Sequence, residues 1–69
     1  MRLSARNQLE GTVVSVRPGA VMAIVVIRLA GGQEIVSAIT KESAESLELR
    51  EGDSVIAVVK ATEVMVGKD

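Results

Sequence analysis

The sequence predicts an all-β fold with one short helix: a five-stranded antiparallel barrel that assembles as a homo-oligomer. Three observations carry this. Hydrophobic residues make up 48% of the chain, yet Phe, Tyr and Trp are absent, so the apolar mass is Val, Ile, Leu, Ala and Met. Branched side chains of this kind favour strands. The apolar runs are short and punctuated by Pro18-Gly19, Gly31-Gly32 and Gly52-Asp53. One stretch alone, residues 41–49, carries helical spacing.

Residues 10–17, EGTVVSVR, open with a turn-like Glu10-Gly11, continue as a Val-rich strand and stop at Pro18-Gly19. Residues 21–30, VMAIVVIRLA, are the most apolar run. Val25, Ile27 and Leu29 point one way and Ile24, Val26 and Arg28 the other. Both faces are largely apolar, as in a strand covered on both sides. The run is long enough for a helix, but four consecutive branched residues, Ile24 to Ile27, oppose one. Gly31-Gly32 followed by QEIVSAIT reads as a hairpin. In KESAESLEL, Ala44 and Leu47 share a helical face, Thr40 is the expected N-cap and Glu42 suits the first turn. Residues 50–53 form a turn, SVIAVVK a further strand, and VMV at 64–66 a last strand that closes the fold. Short strands at this spacing in so small a chain indicate a barrel of the OB type.

The chain has 69 residues, which predicts a single domain spanning 1–69. So short a domain buries a modest core. Small folds add disulfides, a metal or a partner subunit. With neither Cys nor His, and no D-x-D-x-D-G loop, disulfides, thiolate sites and an EF-hand are excluded. Self-association is the remaining stabiliser. The outer apolar face of residues 21–30 asks for a cover, and an identical subunit supplies one.

A net charge of −1 and the missing aromatics argue against nucleic acid, since OB-type binders use a positive groove and stacking surfaces. No apolar run spans a bilayer and the N-terminus is not built like a signal peptide, so a cytoplasmic protein is expected. The catalytic inventory is poor: no nucleophile–base motif, no P-loop and no GxGxxG. Glu42, Glu45, Glu48 and Glu51 read as a solvated face. No enzyme and no cofactor are expected.

What remains is a set of small donors beside isolated cations: Ser4, Arg6 and Asn7; Ser37 and Thr40; Lys60 and Thr62. Such a mixture suits a small oxyanion, which presents only acceptors. Each residue has an ordinary reading as well. Ser4 and Asn7 serve as tail residues, Ser37 as a small strand residue, Thr40 as the helix cap, and Lys60 as a strand end in solvent.

SARNQLEGTVVSV, read with KATEVMV near the end, resembles the Mop family, the molbindins. These are small cytoplasmic molybdate-binding proteins made of one TOBE-type domain. The resemblance covers nearly the whole chain: SARNQL, the AGG hairpin, the SAIT strand end, the short helix, EGD and K-A-T-x-V-M-V. It implies an OB-like barrel assembled as a hexamer, a trimer of dimers, with molybdate or tungstate held at subunit interfaces. By position it implies ligand contacts from Ser4, Ala5, Arg6 and Lys60, with Ser37 and Thr40 contributed by a neighbouring subunit. Relatives often carry Ser after that Lys where this chain has Ala61. That hydroxyl contact is either lost or replaced by the Ala61 N–H or by Thr62. The family has a second kind of site near its symmetry axis, for which Gly19, Ala20 and Val21 are the candidates. Asn7 and Gln8 are expected to fix the backbone as it enters the barrel. The same domain type also occurs fused to transport ATPases and to a molybdate-responsive repressor, so a regulatory role beside a partner protein is the alternative to storage.

Overall fold

The computed structural model describes all residues, 1–69. Strand β1 spans Asn7–Pro18, β2 Met22–Leu29, β3 Glu34–Thr40 and β4 Ser54–Val59, with helix α1 at Lys41–Ser46 between β3 and β4. One antiparallel sheet results, in the order β3-β2-β1-β4.

β1 is the spine. Its first half, Asn7 to Thr12, pairs with β4, and Gly11 to Pro18 pairs with β2. Gly11 and Thr12 therefore carry partners on both sides. A bulge between Val13 and Ser15 bends the strand there, and a bulge sharpens local twist. Gly11 allows the close approach: a Cβ on it would lie 2.5 Å from Cγ2 of Ile27 and 2.8 Å from the carbonyl oxygen of Arg28. The result is a curled, half-closed barrel.

Its concave side holds the core. Val13, Val25, Ile27 and Ala57 are buried, with Val16, Leu29, Ile35, Ile39, Leu49 and Val55 packed around them. The alternation expected in β2 is observed: Val25 and Ile27 are buried and Leu29 half-buried, while Ile24 and Arg28 are exposed. On the convex side Val26 pairs with Val36 and Ile24 with Ala38. Val36 is 66% exposed there. The Arg28–Glu34 ion pair, 2.8 Å, borders this apolar patch.

The turns follow from their residues. Gly32, at φ 88°, closes the β2–β3 hairpin, where Gly32 donates to the Leu29 carbonyl at 2.9 Å. Thr40 caps α1 by accepting from the Ser43 N–H at 3.0 Å. The helix is shorter than the 41–49 expected. It stops because Glu48 is left-handed, at φ 52°. The Leu49 N–H then returns to the Ala44 carbonyl and the Glu48 N–H to that of Glu45, the paired bonds of a Schellman end. In the following turn Gly52 has φ 94°, and the Arg50 N–H donates to Oδ2 of Asp53 at 2.8 Å.

Two further expectations are corrected. The sheet has four strands, not five: Ala61–Glu63 is a 3₁₀ turn, and Val64, Met65 and Val66 leave the sheet as an exposed tail. Branched residues favour a strand wherever an edge accepts them, but this chain does not fold its tail back onto its own edge. β1 also begins three residues before the expected start at Glu10, because β4 offers ladder partners down to the Asn7–Val59 pair.

Candidate functional site

The candidate residues gather at the ends of strands. Ser4, Ala5 and Arg6 form the bend entering β1, and Lys60 follows β4 directly. The last ladder pair is Asn7 with Val59, so Arg6 and Lys60 stand one residue beyond it, across from each other. Both are exposed and neither has a carboxylate partner, since the one ion pair in the chain is Arg28–Glu34. Two unneutralised cations at one sheet end make a local positive spot in a chain of net charge −1.

The entry bend is fastened by Gln8, whose Nε2 donates to the carbonyl of Ala5 at 2.8 Å. The expectation that Gln8 fixes the backbone is met. Asn7 opens β1 half-buried and makes no side-chain hydrogen bond. After Lys60, the 3₁₀ turn is closed by Glu63 N–H to the Lys60 carbonyl, 2.9 Å, and Val64 N–H to the Ala61 carbonyl, 3.3 Å. No side chain caps this turn, and the Thr62 hydroxyl makes no bond within the chain.

Ser37 and Thr40 lie on opposite faces of β3, three residues apart. Ser37 pairs with buried Val25 and is half-buried. It is the one polar residue lining an apolar cleft of about 390 Å³ between β3 and β4, which extends to Val58 and Val59. Thr40 is engaged at the helix start, where its hydroxyl donates to the Ser43 Oγ at 2.7 Å. The chain thus does not bring Ser37 and Thr40 together on one face.

Gly19, Ala20 and Val21 make the exposed turn between β1 and β2. The Gly19 N–H donates to the Met22 carbonyl and the Lys41 N–H to that of Val21, each at 2.7 Å. This turn and Arg6 mark opposite ends of the 12-residue β1. No three His, Cys, Asp or Glu residues converge as metal ligands, and no helix is long and apolar enough to cross a membrane. That Gln8 meets the Ala5 carbonyl in particular, three residues back, is set by the folded bend.

A curled antiparallel sheet with free donors and unpaired cations at its strand ends defines a small β-domain suited to an anionic ligand. The TOBE domain model matches residues 3–66, and the chain belongs to that family. Within it, the chain belongs to the Mop family. It is 50% identical over 66 residues to molybdenum-pterin-binding protein 2 of Clostridium pasteurianum, covering 96% of this chain and 97% of that one. The solved molybdate-binding protein of Sporomusa ovata has TM-score 0.92 and 48% identity, covering 99% of this chain and 100% of that chain. The cytoplasmic molybdate-binding protein ModG, solved with molybdate bound, has TM-score 0.84 and 52% identity, over 88% of this chain and 43% of that chain.

Proposed function

We propose that this chain, a single domain over residues 1–69, binds molybdate, and also tungstate, for molybdenum storage or homeostasis in the cytoplasm, without catalysis. The observation that carries this is the Arg6–Lys60 juxtaposition: two cations beyond the Asn7–Val59 pair, with no carboxylate on either. Membership of a family whose solved members are molybdate-binding proteins supports the ligand's identity.

Molybdate is a tetrahedral dianion without protons at neutral pH. None of the candidate residues is acidic, so the set offers donors and no carboxylate acceptor. Ser4, the backbone at Ala5, and Arg6 form one half of the clamp, with Lys60, Ala61 and Thr62 beside them. Monohydrogen phosphate brings a proton that meets no carboxylate acceptor there, only hydroxyls that would have to turn from donor to acceptor. Each donor left unpaired costs about 1–3 kcal/mol, enough to discriminate. Sulfate matches the charge and the protonation, and is excluded by its smaller size.

The ligand lies between copies of the chain, in a hexamer built as a trimer of dimers. Ser37 and Thr40 come from a neighbouring copy, and Gly19, Ala20 and Val21 form a second kind of site. The convex patch of Ile24, Val26, Val36 and Ala38 supports self-association, as it leaves paired apolar residues uncovered. An interface ligand then stabilises the assembly by mass action.

Native mass spectrometry with and without molybdate tests this. The expected result is an oligomer that gains the mass of bound oxyanion. A monomer with no gain defeats the proposal. Lys60→Glu is expected to leave the sheet folded and empty the interface sites; unchanged stoichiometry removes Lys60 from the clamp.

A further inference from the structure

The segment before β1 turns back on itself. Ser4 and Arg6 are both bends, and β1 begins at Asn7. Met1 nevertheless lines one cleft with Glu10, Ile56 and Val58. Extended chain advances about 3.3 Å per residue, so without a reversal Met1 would stand roughly 30 Å from Glu10. Ser4, Ala5 and Arg6 therefore occupy the crest of a chain reversal, and residues 1–3 run back beside β1 and β4.

The reversal lies on the outer side of the sheet. Gln8 pairs with Val58 and Glu10 with Ile56. Each pair is two residues along its strand from the other, so all four side chains share a face. Ala57, between Ile56 and Val58, is buried on the core side. From the outer face Gln8 reaches the Ala5 carbonyl at 2.8 Å. Val58 and Val36 both face outward from an edge strand. Val58, on the side where the segment lies, is 44% exposed, and Val36, on the bare side, is 66% exposed.

Each arm of the reversal thus has its own hold. Gln8 fastens the β1 arm with a hydrogen bond, and Met1 stands at the apolar Ile56–Val58 cleft on the other arm. A thioether suits an irregular apolar seat, because it is unbranched and polarizable. We propose that Met1, seated on Ile56 and Val58, is a positioning residue of the anion site, holding Ser4, Ala5 and Arg6 in place through the backbone before the anion arrives. This rests on the molybdate reading above. The Met1 side chain has no donor to offer an oxyanion. It acts by ordering the donors in advance, which lessens the ordering that binding itself must supply.

Release from a cleavable fusion leaves position 1 free to vary. Met1→Ser is expected to keep its strand circular dichroism, its urea midpoint and its oligomeric state. It is expected to bind molybdate roughly three- to tenfold more weakly in calorimetry. Met1→Leu is expected to restore the affinity. Ile56→Thr keeps a branched strand residue but removes the apolar seat, and is expected to weaken binding like Met1→Ser. A Met1→Ser chain with wild-type affinity overturns the proposal, and so does a Met1→Leu chain that binds no better than Met1→Ser. Methyl NMR on the wild type without molybdate gives a reading independent of ligand. Cross-relaxation from the Met1 methyl to the Ile56 or Val58 methyls is expected. Wild type that binds molybdate without that contact overturns the Met1 proposal alone. Wild type that shows the contact and takes up no molybdate overturns the function and the positioning role together.

Discussion

Gln8 donates from its side-chain Nε2 to the carbonyl of Ala5 at 2.8 Å, and so ties the first strand to the bend that carries Ser4 and Arg6. A residue that is not a candidate ligand contact thereby holds the backbone between two candidate contacts. Gln8→Leu removes the donor and keeps most of the bulk. The loss is about 0.5–1.5 kcal/mol, the worth of one ordinary hydrogen bond. It is expected to appear as severalfold weaker molybdate binding by calorimetry, with little change in the unfolding midpoint.

Arg6 and Arg50 are both exposed arginines outside any ion pair, which makes them a matched pair for testing the clamp. Arg50 lies in the α1–β4 turn and uses its backbone N–H toward Asp53. Arg6→Ala is expected to weaken molybdate binding by roughly tenfold or more, as loss of a charge-assisted bond does. Arg50→Ala is expected to leave it unchanged. Equal effects in titration calorimetry would contradict the assignment.

Thr40 has a structural duty that is separable from any ligand contact. Thr40→Val deletes the acceptor for the Ser43 N–H. The expected cost is about 1 kcal/mol of stability, the usual worth of an N-cap. Thr40→Ser keeps the cap and is expected to recover that loss in urea denaturation. If Thr40 also reaches a neighbour's anion, Thr40→Val weakens binding beyond what its stability loss explains.

Glu48 is the one non-glycine residue with positive φ, at 52°. A side chain in that conformation costs about 1–2 kcal/mol, partly offset by the chain entropy that glycine loses on folding. Glu48→Gly is expected to stabilise the protein by about 1 kcal/mol, read as a higher urea midpoint, without changing anion stoichiometry.

Local chemistry explains which parts of the fold were legible in the sequence. The two-faced β2, the Gly31-Gly32 hairpin and the Thr40 cap depend on neighbours a few residues away, and all three are observed. The left-handed Glu48 was not legible, because a glutamate does not announce positive φ. Nor was the start of β1 at Asn7, since polar residues join a strand when a distant partner, here Val59, offers the ladder. VMV read as a strand on propensity alone, but propensity does not say whose edge it joins. The candidate site was legible as a set of donor types and, through the SARNQL and KAT motifs, as family positions. The register that sets Arg6 across from Lys60 belongs to the folded sheet.

The double pairing of Gly11 and Thr12 bears on how the domain opens. Gly11 meets Leu29 on one side and Val55 on the other, so the ladder to β4 and the ladder to the β2–β3 hairpin share Gly11 and Thr12. Neither half can fray deeply without loosening the shared seam. The sheet therefore behaves as a single cooperative exchange unit, in which slow amides on β2 and on β4 report the same global opening.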